Sequence, residues 1–134
     1  MSLEDLTFDT FKPFWNDIFT EKLDTLAVLQ KLRGHYRLAL LSNVNEMHWN
    51  HIIEKHPFMT WFDHPIASYA VGLRKPEHAI YHKALQIAGG IAPAKAMFFD
   101  DVQAHVIGAR EVGIRAHLFI DAPQLIKDLD GILS

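Results

Sequence analysis

Two short apolar runs, each breaking off into polar residues, constrain this chain more than any other feature. Tyr36-Arg37-Leu38-Ala39-Leu40-Leu41 gives way to Ser42-Asn43, and Ala96-Met97-Phe98-Phe99 gives way to Asp100-Asp101. Runs this short and this apolar read as strands buried on both faces. Helical stretches separate them. Glu21 to Leu32 follows the 3.6-residue period through Leu23, Leu26, Ala27, Leu29 and Leu32, with Gly34 as its stop. Residues 45–55 read as a helix. So do Glu77 to Ala88, entered through Pro76 and ended at Gly89-Gly90, Val102 to Val112, closed by Gly113, and Pro123 to Leu133. Further short strands are expected near Ile66-Ala67-Ser68 and over Arg115 to Ile120, while Leu3 to about Thr20 reads as helical with a break near Pro13. This alternation predicts an α/β fold, a parallel sheet with helices on both faces. In such sheets ligands sit beyond the carboxyl ends of the strands, near a topological switch point. Both polar pairs fall at those ends.

The bulk numbers narrow the partners. At 134 residues, 49% of them apolar, the chain suits one domain with a real core. A net charge of −3 with interspersed signs leaves no basic stripe, which argues against nucleic acid or an anionic membrane as partner. No apolar run approaches the ~20 residues of a membrane span. Met1-Ser2-Leu3-Glu4-Asp5 is acidic and lacks the apolar stretch of a secretory signal. The absence of cysteine excludes disulfides, thiolate metal sites and cysteine nucleophiles. A reducing cytoplasm is the location expected from this.

Three groups of residues carry chemistry. Ser42-Asn43 follows its strand directly and precedes a helix, so a hydroxyl, an amide and backbone N–H groups form an anion cradle there. The same residues also serve as an ordinary helix N-cap, and the two roles are compatible. Lys75, held out of helical conformation by Pro76, is placed to reach across the strand ends as a point charge for phosphate, with Arg74 competing for that role. Asp100-Asp101 puts two carboxylates at the end of a buried strand, which is costly without a counter-ion. Mg²⁺ often takes one or two protein carboxylates plus water and phosphate oxygens. Because side chains alternate along a strand, one aspartate is expected to bind metal while the other orients it or caps the next helix. His78 and His82 are four apart on a helix, but with no glutamate between them and no third ligand they read as a solvated face. His48 and His51 read the same way.

Together these motifs resemble the haloacid dehalogenase-like hydrolase superfamily. The string Leu-Leu-Ser-Asn-Val-Asn, then Gly72-Leu73-Arg74-Lys75-Pro76-Glu77 with Ile80-Tyr81, then Phe-Phe-Asp-Asp with Gly108-Ala109-Arg110 and Gly113-Ile114, is similar to its sugar-phosphatase branch over about residues 14–120. The resemblance implies a Rossmann-like core and a magnesium-dependent phosphomonoesterase acting on a small phosphorylated metabolite. Ser42 would bind the phosphoryl group with Asn43 beside it, Lys75 would neutralise it, and Asp101 would ligate Mg²⁺ with Asp100 in support. His105 stands where the family often has Asp or Asn.

The family's first motif, Asp-x-Asp after an N-terminal strand, supplies the nucleophile and the general acid/base. Only 41 residues precede Ser42. Asp9 in Leu6-Thr7-Phe8-Asp9-Thr10-Phe11 is the one candidate, and position 11 is Phe, so the second aspartate is missing. The expectation is therefore a core domain over 21–134 with a helical remnant of the cap over 1–20. Its N-terminal strand and most of the cap would be missing, magnesium binding would be weak, and no nucleophile is assigned. The alternative is a non-catalytic remnant that binds a phosphate ligand or a partner chain. In either case the strands ending at Leu41 and Phe99 should flank the vacant place. That slot must be closed by direct pairing, or filled by residues 5–11 or by a second chain. A filled slot in a homo-oligomer is the expected outcome.

Overall fold

A computed structural model describes residues 5–8, 23–32 and 36–133. The chain runs through β1 (Asp5–Phe8), α1 (Leu23–Leu32), β2 (Arg37–Ser42), α2 (Glu46–Lys55), β3 (His64–Ala67), α3 (Ser68–Val71), α4 (His78–Ile87), β4 (Ala96–Asp100), α5 (Gln103–Glu111), β5 (Arg115–Leu118) and α6 (Ala122–Leu133). The strands form one parallel sheet in the order β3-β2-β1-β4-β5.

The place expected to be vacant is occupied by the chain itself. Asp5–Phe8 lies between β2 and β4, with Leu6 opposite Leu38 and Met97, and Phe8 opposite Leu40 and Phe99. Residues 5–8 therefore belong to the core sheet and not to a helical cap remnant, and the N-terminal strand is present. Four residues are too few to show a period of two, whereas Leu-Thr-Phe suits a strand once flanked by apolar neighbours on both sides. With both edges of the slot hydrogen-bonded to β1, the open edge that motivated a second chain does not exist. The remaining residues of that N-terminal segment, Asp9 included, lie outside the described residues.

The pleat divides the core. Leu38, Leu40, Met97 and Phe99 project to one face and pack with Trp49, Ile52, Leu125 and Leu129. Leu41, Ala96 and Phe98 project to the other and pack with Ile80, Tyr81, Val106 and Ala109. Each Val, Leu, Ile, Met or Phe among them, buried in full, contributes about 1.5–3 kcal/mol over leaving it in water. Pro65 falls inside β3, which is tolerated because β3 is an edge strand with no partner for the missing N–H. The helix expected from Glu77 begins at His78, and the one-turn α3 was not legible in the sequence. Gly89 and Gly90 end α4 at φ +114 and +76, conformations that residues with a Cβ rarely adopt.

Candidate functional site

The carboxyl ends of β2 and β4 carry the two polar pairs, and β1 lies between them. Lys75 spans the interval. Its backbone N–H donates to Asn43 Oδ1 at 2.9 Å and its carbonyl accepts from Asn43 Nδ2 at 3.0 Å, which anchors it to the β2 end. Its Nζ donates to Asp100 Oδ2 at 2.9 Å on the β4 end. Both side chains of that ion pair are 1% exposed. The Phe98 ring centroid lies 5.9 Å from Nζ. Arg74 is exposed, so the competition between the two basic residues resolves to Lys75 as the buried cation.

Asp100 is saturated. Its Oδ2 also accepts from His105 Nδ1 at 3.0 Å, and its Oδ1 accepts the Val102 N–H at 2.8 Å. An ionised carboxylate can only accept, so Nδ1 of His105 carries the hydrogen. His105 thus keeps an outer contact at the position where the family often has Asp or Asn. Its own carbonyl accepts the Tyr81 hydroxyl at 2.7 Å, tying α5 to α4 behind the site. This support was not anticipated from the sequence; the only signal for it was His105 five residues beyond Asp100.

Burial would raise the Asp100 pKa, but the His105 hydrogen bond and the charge of Lys75 outweigh it and hold the carboxyl below its usual range. Burial lowers Lys75 to about 8, against the opposing pull of Asp100, so at neutral pH the pair is ionic. Asp101 behaves differently. Partial burial and the neighbouring Asp100 charge raise it to about 6.

Ser42 Oγ is buried at the end of β2 and has no hydrogen-bond partner among the described residues. An orphaned buried hydroxyl costs roughly 1–3 kcal/mol unless a ligand supplies the partner. Asn43, by contrast, spends its side chain on the Lys75 backbone. Asn45 caps α2, its Oδ1 accepting the His48 N–H at 2.8 Å. Capping is therefore done three residues past Ser42, which leaves Ser42 unused for that purpose. Ser68 Oγ accepts the Val44 N–H at 2.9 Å and donates to the Val44 carbonyl at 3.2 Å, clipping the β2 loop to α3.

The other polar clusters do not form sites. His78 pairs with Glu111 at 3.0 Å on the surface, and no group of three metal-ligating side chains occurs among the described residues. An Asp-x-Asp-Gly string does occur at residues 128–131, but it lies in α6, where Asp128 accepts from Gln124 Nε2 at 3.0 Å. No helix among the described residues is long and apolar enough to cross a membrane.

The donor set fits a hard dication in part. Asp101 offers one half-buried carboxylate whose ionisation is opposed by a second negative charge, the environment a bound cation relieves. In its absence that strain is felt by the fold. Between pH 4 and 6 the folded chain holds a proton on Asp101 that the unfolded chain has released, so stability falls as pH rises through this window. At pH 7, Asp101→Asn should stabilise the metal-free chain by about 1 kcal/mol, discounted for solvent screening, and should remove any thermal shift produced by Mg²⁺. Thermal melts with and without millimolar Mg²⁺ check both halves. A variant that melts lower than wild type without metal would contradict the electrostatic account.

Comparisons with known proteins bear on the family and the fold. A sequence model of haloacid dehalogenase-like hydrolases matches residues 13–113. Over its whole length the chain is 30% identical to a drimenol cyclase of Aspergillus calidoustus, of which it covers 24%. A haloacid dehalogenase family enzyme of Bacteroides thetaiotaomicron, solved with magnesium and inorganic phosphate, is 30% identical and superposes with a TM-score of 0.66. That match covers 72% of this chain and 52% of that one. The chain thus spans a quarter of the cyclase and about half of the bacterial enzyme. An uncharacterized protein of Corynebacterium glutamicum, 20% identical, shares the fold with a TM-score of 0.75 over 97% of this chain and 94% of its own. The match over residues 13–113, together with the parallel sheet, places this chain in the haloacid dehalogenase-like hydrolase family.

Proposed function

We propose that the chain carries the phosphate- and magnesium-binding half of a phosphomonoesterase site, of the kind that acts on sugar phosphates. The observation that carries this reading is the buried Ser42 Oγ, which has no partner among the described residues, on one side of a cleft that Lys75 spans. In this reading Ser42 Oγ and the backbone N–H groups that follow β2 hold phosphate oxygens, and Lys75 neutralises their charge. Asn43 acts through the Lys75 backbone. Asp101 holds the Mg²⁺, and Asp100 serves by fixing Lys75 rather than by ligating metal. When bound, the ion supplies charge neutralisation at the phosphoryl oxygens. The Bacteroides enzyme, crystallised with both magnesium and phosphate, supports this assignment by likeness.

The residue that follows β1 in the sequence is Asp9, and the family resemblance makes it the candidate nucleophile. Phe11 stands where the family's acid/base carboxylate belongs, so proton transfer to a poor leaving group lacks its donor. Binding is therefore expected to be readily measured and turnover to be slow.

Titration of inorganic phosphate in the presence of Mg²⁺, followed by calorimetry or ³¹P NMR, tests the reading. Ser42→Ala should weaken phosphate about 10–100-fold, the worth of a hydrogen bond to a charged group. The same change should leave the ligand-free fold equal or up to about 1 kcal/mol more stable, because an unsatisfied buried hydroxyl is removed. Unchanged phosphate affinity in Ser42→Ala, or brisk hydrolysis of an unactivated alkyl phosphate, would overturn it.

A further inference from the structure

Away from the strand-end rim, a cleft of about 380 Å³ opens along one side edge of the sheet, lined among the described residues by Arg110, Ile114, Arg115, Ala116 and His117. Its volume lies in the range of small-molecule sites. β5 is the last strand in the order, so its far side has no strand beside it among the described residues. The Phe119 N–H donates to the Asp100 carbonyl at 2.8 Å on β4. Backbone polar groups alternate in direction along a strand, so those of Arg115 and His117 also face β4 and those of Ala116 face outward. There the Ala116 carbonyl accepts from Arg110 Nε at 2.8 Å. That bond sets the plane of the guanidinium and leaves its terminal amino groups directed past the edge. Ala116 packs with Ala109 and Val106 of α5, whereas Arg115 and His117 project to the opposite face, where His117 stacks on Phe99 at 5.5 Å. One arginine from each face of the sheet thus brackets the cleft.

The charge here is one-sided. Among the described residues no carboxylate lines the cleft, and neither arginine is paired with one. On a chain of net charge −3 this is a local excess of positive charge, which draws anions and repels cations. An inorganic phosphate ion fills only a small part of the volume. The lining that remains is Ile114 and Ala116, so the body that accompanies the anion is apolar. An added β-strand is a poorer occupant, because Arg110 already covers the outward carbonyl that a new ladder would use.

We infer that this edge cleft is a second ligand site, separate from the strand-end cradle, for a small molecule that carries a doubly charged oxyanion on an apolar body. Arg110 and Arg115 grip the oxyanion as planar forks, His117 adds a ring nitrogen, and Ile114 and Ala116 bear the body. Two guanidinium charges favour a dianion over a single carboxylate. None of Ser42, Lys75, Asp100 or Asp101 lines the cleft, so the site stands or falls independently of the function proposed above.

The full chain without Mg²⁺, at about pH 8 where a phosphonate is doubly charged, is titrated with phenylphosphonate, inorganic phosphate, benzoate and benzylamine. Phenylphosphonate cannot be hydrolysed, so turnover does not enter. It should shift the NMR signals of the Arg110 Nε–H, Ala116 and His117, and should bind about tenfold or more tighter than inorganic phosphate or benzoate. Benzylamine should leave those signals in place. Arg115 is exposed, so Arg115→Gln is expected to keep the fold while weakening phenylphosphonate roughly tenfold. Arg115→Lys, which keeps the charge and loses the fork, should fall between the two. Ser42→Ala should leave the shifts at Arg110 and Ala116 unchanged. Shifts confined to Ser42 and Val44 would refute the edge site while supporting the cradle, and no shift at either place would refute the edge site outright. Benzoate binding as tightly as phenylphosphonate would refute the selection of a dianion. An acidic peptide that binds this edge more tightly and displaces Arg110 from Ala116 would overturn the inference in favour of strand addition.

Discussion

Asp100→Ala should destabilise the chain by about 3–5 kcal/mol at pH 7, the usual result of removing one member of a buried ion pair. In thermal melts this corresponds to a fall of roughly 10–20 °C for a domain of this size. Lys75 Nζ has its charge countered by Asp100 at 2.9 Å, both side chains 1% exposed, so removing the carboxylate takes a close, hydrogen-bonded counter-charge from a buried cation. Relaxation comes from deprotonation. The folded Lys75 pKa is already lowered from 10.5 to about 8 by burial, and loss of Asp100 removes the main influence holding it up. The sign follows from linkage. A lysine whose folded pKa is depressed costs stability while it is protonated, and that cost fades as pH rises from the folded value toward the unfolded one. Wild type should therefore gain stability between about pH 8 and 10.5, and Asp100→Ala should begin its recovery at lower pH. At the acid end, Asp100 has a depressed pKa and so contributes stability that is lost as pH falls below about 4. The double change Lys75→Met with Asp100→Leu should cost far less than Asp100→Ala alone, since an apolar pair of similar volume replaces both charges. An Asp100→Ala variant within about 1 kcal/mol of wild type would show that the pair is hydrated and that Lys75 is not held as described.

Gly108→Ala is the second change with a large expected effect. A Cβ at Gly108 would stand 2.9 Å from both Cβ and the carbonyl oxygen of Pro76 and 3.1 Å from Cε2 of Tyr81. Two of these neighbours are a proline ring and a backbone oxygen, which cannot swing aside as the end of a flexible side chain can. Overpacking of this kind costs about 1–3 kcal/mol. The displaced segment is Lys75-Pro76, so the change should also weaken phosphate binding although Gly108 sits on α5 and touches no ligand. Chemical denaturation and phosphate titration of the same variant check both effects. A variant that loses stability but keeps full phosphate affinity would separate the packing from the site and show that Lys75 does not depend on this contact.

Both predictions concern contacts that no stretch of sequence displays. Ser42, Lys75 and Asp100-Asp101 were legible because each follows or precedes a strongly patterned element, and a parallel sheet has one ligand-binding rim. The local order was sufficient to bring their backbones to that rim. It was not sufficient to divide labour among them. The sequence put Asn43 beside Ser42 and Asp100 in support of Asp101 without naming their partners, which are the Lys75 backbone for Asn43 and Lys75, His105 and Val102 for Asp100. Gly108 read as a glycine with no assigned purpose, and Ser68 as the end of a strand.

The sequence alone determined the class of fold, the alternation of elements and the identity of the polar residues at the strand ends. These follow from periodicity and from punctuation by Gly and Pro, which act over a few residues and need no knowledge of distant ones. Tertiary structure alone decided that Asp5–Phe8 is the central strand, because four residues acquire strand geometry from the two ladders beside them and not from their own pattern. It also decided which of Arg74 and Lys75 is buried, which hydroxyl is left without a partner among the described residues, and where a glycine is required. Each of those depends on which atoms approach within a few ångströms across separations of 24 residues or more in the chain, a quantity that exists only once the sheet has assembled.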